Sequence, residues 1–292
     1  MTKAMPMVAS AEAALGTTGS YWSSAARQYT ELRPPLRPCA EDILFFEETA
    51  GKYALQHPEQ ANRALLLGVT PDIAQMRWPS SFSLLGVDRS NEMVNAVWPG
   101  NISGKRWAVN GDWLSLPQPP ASCDIAIGDG SLNCLRYPDQ HRAFLRSVCT
   151  ALKAEGILVL RCFTQPEQQE RTDQLFEAAL RGEIPTFTQF RLRLLMAMQR
   201  STGEGVAVSS VYRFWADRSA TQMSRLRALW PKADIDYIEL YRDAGAVHTF
   251  PTLAECRAVL SEFFDEVSAS FPTYYAGERC PRLVLTPRWR AG

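Results

Sequence analysis

Four short apolar runs in the first half of the chain each end in a glycine or an aspartate, and these end residues carry the first chemical signal. The run 64–67 stops at Gly68 and the run 82–87 at Asp88. The run 106–109 leads into Asn110, Gly111, Asp112 and Trp113, and the run 123–127 into Gly128, Asp129, Gly130 and Ser131. A glycine at a strand end lets a ligand approach the backbone closely. Asp88 follows Gly68 by twenty residues, the spacing at which an acid meets ribose hydroxyls in nucleotide-binding α/β units. Between them, Thr70, Pro71 and Asp72 suit the N-cap, first position and first turn of a helix. Singly, Asp88 reads equally well as an N-cap and Asp112 as a turn residue. As a series they point to a nucleoside crevice. Only Gly68 remains of the G-x-G-x-x-G pattern that cradles a pyrophosphate, so a ligand with ribose and adenine but no phosphate suits this loop better.

The elements that must hold these residues follow from the apolar rhythm. Strand-like runs at 64–67, 82–87, 106–109, 123–127 and 156–160 alternate with helical patterns near 71–77, 90–97 and 138–153, after a first helix over 40–56. That alternation predicts an α/β fold with a parallel sheet and crossover helices, whose ligand lies across the carboxyl ends of the strands. Residues 166–200 read as two helices split at 182–185, with a third near 217–229. The strand-helix rhythm returns with a helix over 252–264 and strands at 265–271 and 282–286. Four segments are expected: an N-terminal tail and helical cap (1–60), a binding core (61–165), a helical insertion or lid (166–250), and a closing helix with two strands (251–292). The first twenty residues read as a mobile tail.

With these motifs in order, the sequence resembles the class I S-adenosylmethionine-dependent methyltransferases. ALLLGVTPD stands at the glycine-rich first motif, LLGVDRSNEMV at the second strand, VNGDWLSLP at the third, CDIAIGDGSLNCL at the fourth and LKAEGILVLRCF at the fifth. The resemblance covers residues 60–163 and the last forty. It implies a Rossmann-like three-layer sandwich: a seven-stranded, mostly parallel sheet with an antiparallel last strand. It also implies S-adenosyl-L-methionine as cofactor, with Gly68, Val69, Thr70 and Asp72 at its methionine end. Asp88, with Arg89 and Met93, would stand at the ribose, and Gly111, Asp112 and Trp113 around the adenine. Asp129, Gly130 and Ser131 would lie beside the sulfonium. Two departures stand out: Leu66 replaces the family's first-motif acid, and Thr70 and Asp72 replace its later glycines. Asp72 would then be a substitute partner for the methionine ammonium.

The acceptor is expected to be a small molecule. Lys plus Arg (31) equals Asp plus Glu (31), whereas nucleic-acid binders usually carry a basic excess. After the fourth strand stands Asp129-Gly130-Ser131-Leu132. Neither the Asp/Asn-Pro-Pro-aromatic signature of amide-nitrogen methylases nor a Pro-Cys pair occurs there. Seven cysteines without a CxxC pair and three scattered histidines offer no metal site. No apolar run is long enough to span a membrane, and the cytoplasm is the default compartment. Tyr21, Trp22 and Tyr29 either close over the transferring methyl or form a helix's apolar face. Arg161 either holds an acceptor carboxylate or pairs with a neighbouring acid, and Asn133 either meets the acceptor or shapes a turn. Arg191, Arg193 and Arg200 are interleaved with Phe187, Phe190, Leu192, Leu194, Leu195, Met196 and Met198. They face an anionic substrate or water. His141 reads as a surface residue and His248 as a candidate base; no catalytic residue is assigned. The alternatives are a non-catalytic cofactor-binding protein of the same fold and a nicotinamide-dependent oxidoreductase.

Overall fold

The computed structural model describes residues 23–26 and 29–288, so Tyr21, Trp22 and the expected tail lie outside the described residues. The apolar runs form β1 (Asn62–Leu67), β2 (Phe82–Asp88), β3 (Arg106–Asn110), β4 (Cys123–Asp129) and β5 (Leu152–Arg161). A two-stranded ribbon pairs β6 (Val206–Ala207) with β7 (Val247–His248), and β8 (Phe264–Ser270) and β9 (Arg282–Pro287) complete the main sheet. Its order is β3-β2-β1-β4-β5-β9-β8, with β9 antiparallel to both neighbours and the first five strands parallel. The expected seven-stranded sheet with a reversed last strand is present.

The sheet is covered on both sides, which is why its central strands read as unbroken apolar runs. Ala64 and Leu66 of β1 pack with Phe46, Ala50 and Tyr53 of α1 (Ala40–Gln56) and Ile73 of α2 (Pro71–Ala74). Leu65 and Leu67 face the other way, with Phe144 and Val148 of α4 (Asp139–Ala151) and Val259 of α10 (Leu253–Leu260). A shorter α3 (Asn91–Ala96) follows β2, capped by the Ser90 hydroxyl, which accepts from the Met93 N–H at 3.2 Å. The fourth helix ends at Ala151, two residues before its expected end, because Leu152 already pairs with Cys123 in the sheet.

Residues 166–250 bring their own core. It comprises α5 (Thr172–Leu180), α6 (Phe187–Met198), α7 (Ser209–Ala216), α8 (Ala220–Leu229), α9 (Lys232–Asp236) and a 3-10 turn, Tyr237–Tyr241. Phe187 meets Trp215 at 5.2 Å and Phe190 meets Trp230 at 5.5 Å between ring centroids. Rings at these separations bury large apolar areas with favourable edge and tilted contacts. A reciprocal cap starts α6: Thr186 accepts from the Gln189 N–H at 3.2 Å and donates its own N–H to Gln189 at 3.1 Å. The ends of the segment are drawn together, with the Gln165 N–H donating to the Pro251 carbonyl at 3.2 Å. Among the described residues, no helix is long and apolar enough to cross a membrane.

Candidate functional site

A cavity of about 180 Å³ opens at the carboxyl ends of β1, β2 and β4. It lies where the strand order reverses, with β1 flanked by β2 and β4, the place a doubly wound sheet offers a ligand. Gly68 stands at its floor with φ +123°, a conformation L side chains rarely adopt, and its N–H donates to the Val87 carbonyl at 2.9 Å. Val69, Thr70 and Met93 line the same floor. At the end of β4, Asp129, Gly130 and Ser131 form the opposite wall. Gly130 turns at φ +67°, and a Cβ there would lie 2.8 Å from the Phe163 ring. The Ser131 hydroxyl donates to the Leu67 carbonyl at 2.9 Å, fixing the two strand ends together.

Asp88 lies on the cavity between this floor and a smaller recess of about 40 Å³. Its Oδ1 accepts from the Ser90 N–H at 2.9 Å, and burial raises its pKa to about 6. The recess is walled by Arg89, Asp112, Trp113, Cys134 and Leu135. Asp112 is exposed, with Oδ1 accepting from the Leu114 N–H at 2.9 Å. The Trp113 ring is held across the boundary by its indole N–H, which donates to the Val87 carbonyl at 2.6 Å. Gly111 donates its N–H to the Asp88 carbonyl at 3.0 Å and lines neither space.

Three residues singled out in the sequence are engaged elsewhere. Arg161 is 1 % exposed and does not line the cavity. Its guanidinium grips Asp129 at 2.5 and 3.1 Å, pairs with Asp42 at 3.3 Å, and donates to the Pro35 carbonyl at 2.7 Å. Burial opposes that charge and Asp129 more than offsets it, holding the guanidinium well above its ordinary pKa. The ion-pair alternative describes Arg161, and the acceptor-carboxylate alternative does not. Asp72 is bound by Arg37 through two 2.9 Å hydrogen bonds, so its carboxylate has a partner within the chain. Asn133 touches the cavity, but its amide is occupied by the backbone: it donates to the Phe163 and Thr249 carbonyls at 2.7 Å each and accepts from the Phe163 N–H at 3.0 Å.

His141 corrects a further expectation. It is 1 % exposed, with Nε2 2.8 Å from the Leu132 carbonyl oxygen, and burial lowers its pKa to about 4. His248 does reach the cavity, where burial and then the nearby charge of Arg191 lower its pKa to about 4 against a backbone hydrogen bond at Asn133. It is neutral at pH 7 and a weak base.

The N-terminal segment closes one side through Ala25, Tyr29, Leu32 and Leu36. Burial, with Asp129 and Asp72 adding to it, pushes the Tyr29 hydroxyl well above its ordinary value. The segment is fastened by the Arg161–Pro35 bond and by the half-buried Arg37–Asp72 pair. Arg37→Ala should therefore cost about 0.5–1 kcal/mol of overall stability while speeding limited proteolysis after Arg33. An unchanged digestion rate would remove that pair from the fastening.

Leu195, Val208, Tyr237, Tyr241 and Phe250, all contributed by or adjoining 166–250, make the remaining wall. Tyr237 and Tyr241 were missed in the sequence reading. Their spacing of four in YIELY is the signal that would have exposed them. Among the described residues, no three His, Cys, Asp or Glu side chains gather as metal ligands.

No family model and no curated protein matches this sequence. Solved structures do match. A Rhodobacter sphaeroides protein described as a putative zinc-dependent alcohol dehydrogenase is 11% identical over 94% of this chain and 98% of its own, with a TM-score of 0.59. The PH0226 protein of Pyrococcus horikoshii is 12% identical over 89% of this chain and 99% of its own, at 0.50. A S-adenosylmethionine-dependent methyltransferase of Methanosarcina mazei is 14% identical over 80% and 95%, at 0.45. At such identities the first two speak for shared fold and not for chemistry. The strand order, the reversed β9 and the helices on both faces give this chain a Rossmann-like, doubly wound α/β fold.

Proposed function

We propose that the protein transfers a methyl group from S-adenosyl-L-methionine to a small organic acceptor. The observation that carries this reading is one continuous crevice with Gly68, Asp88 and Trp113 at one end and an aromatic, apolar enclosure at the other. The residues suit the cofactor: a bare backbone at positive φ, a carboxylate for a ribose diol, and an indole beside a recess for a purine. Bound there, the cofactor supplies a sulfonium-activated methyl group that leaves by in-line displacement. The chain's own work is then positioning and exclusion of water. Asp88 and Trp113 set the nucleoside, the Asp129–Ser131 turn sets the reacting end, and Tyr29 and the 166–250 wall keep solvent out. In this reading residues 1–60 cap the site, 61–165 hold the cofactor, 166–250 enclose the acceptor and 251–292 complete the sheet. The missing pyrophosphate cradle speaks against a nicotinamide cofactor.

Calorimetric titration with S-adenosylhomocysteine between pH 5 and pH 8 tests the reading. An ionised Asp88 accepts from the ribose hydroxyls, and a protonated one competes with them. Because its pKa is raised to about 6, affinity should hold above that pH and fall about tenfold by pH 5. Asp88→Asn should bind weakly with a flat profile. Absence of S-adenosylhomocysteine binding, or tighter binding of NAD, would overturn the assignment.

A further inference from the structure

Among the described residues four arginines are buried, and three of them have a carboxylate: Arg161 has Asp129, Arg279 has Glu170 and Arg282 has Glu41. The fourth, Arg191 on α6, is 1 % exposed and forms no ion pair among the described residues. Its Nε has no hydrogen-bond partner at all. What it does have is tyrosine: a side-chain hydrogen bond to Tyr237, with its guanidinium carbon 4.3 Å from the Tyr237 ring centroid and 5.4 Å from that of Tyr241. Cation–π contacts recover part of the cost of burying a charge, but a buried cation is ordinarily matched by an anion.

Its position gives the missing anion a place. Tyr237, Tyr241 and His248 line the cavity, as does Leu195 one helical turn after Arg191. Arg191 thus stands directly behind the wall facing the acceptor end, and its field reaches the cavity, where it acts on His248. Of the carboxylates near the reacting end, Asp129 is matched by Arg161 and Asp72 by Arg37. A cofactor bearing a sulfonium would bring further positive charge into the same enclosure. The acceptor end is therefore apolar and aromatic, with the unpaired Arg191 cation behind its tyrosine wall.

We propose that the acceptor is a small organic acid whose anionic group is received at the Tyr237–Tyr241 wall and charge-matched by Arg191. The proposal rests on the methyl-transfer reading above and narrows its substrate class. The Tyr237 hydroxyl, hydrogen-bonded to the Arg191 side chain, is polarised towards donation, which suits an acceptor oxygen that bears charge. Arg191 acts here as a positioning residue, through the tyrosines.

The test uses full-length protein after S-adenosylhomocysteine binding has been measured by itself, so that failure of the cofactor reading shows first. Saturated protein is then titrated with three acid and amide pairs: benzoate and benzamide, phenylacetate and phenylacetamide, cinnamate and cinnamamide. At least one acid should bind about tenfold more tightly than its amide. That ratio should collapse to about one in Arg191→Met and recover in part in Arg191→Lys. A merely structural arginine would lower the melting temperature without changing the ratio. Amides that match or exceed their acids in every pair, an acid preference that survives in folded Arg191→Met, or no acid binding at all would overturn the proposal. If Arg191→Met does not fold, the wild-type ratio decides.

Discussion

Arg161→Met should remove about 3–5 kcal/mol of folding stability, the range expected when one partner of a buried ion pair is deleted. The guanidinium is fully enclosed, and without it Asp129 would stay buried and unmatched, Asp42 would keep only the more distant Arg282 as a charge partner, and the Pro35 carbonyl would lose its donor. Methionine fills a similar volume, so the loss reports charge more than packing. Urea denaturation at pH 7 measures it. The deficit should shrink as pH falls, because burial already raises the Asp129 pKa and a protonated carboxyl costs less to bury. A loss below about 1 kcal/mol, or one independent of pH, would mean that the pair contributes little net stabilisation.

Asp88→Ala should weaken S-adenosylhomocysteine binding by about 1.5–3 kcal/mol, roughly ten- to a hundredfold, through the loss of charge-assisted hydrogen bonds to a ribose diol. The fold should survive, because among the described residues this carboxylate accepts only the Ser90 N–H. Calorimetry on the variant, with circular dichroism to check folding, separates affinity from stability. A folded variant with wild-type affinity would remove Asp88 from the ribose.

The sheet was legible because its central strands are buried on both faces, so 64–67 and 123–127 show as unbroken apolar runs. Their Gly and Asp terminators survive because the crevice needs bare backbone and carboxylate there. What stayed hidden depends on distance in sequence or on brevity. Asp42 and Arg161 are 119 positions apart in the numbering, and only the docking of α1 against β5 joins them. The ribbon of β6 and β7 has two residues per strand, too short for any periodicity. The seventh helix falls between the helices expected at 166–200 and near 217–229, and it escaped notice because only Val211 and Trp215 of it are buried. His141 was within reach of the sequence: it shares a face with Phe144, Leu145 and Val148, and that register places it inside.

The Asn133 side chain bears on how molecules enter and leave. One amide bonds to Phe163, just before the 166–250 helices begin, and to Thr249, just where they end. With Gln165 also tied to Pro251, the two ends form a single knot on the turn after β4. A hinge needs a place where backbone torsions are free to change, and neither end offers one. These bonds tie both ends of the helical wall to the turn after β4. The opposite side of the cavity is closed by the N-terminal segment, held by the Arg161–Pro35 bond and the half-buried Arg37–Asp72 pair, so loosening that pair should speed the exchange of a bound ligand.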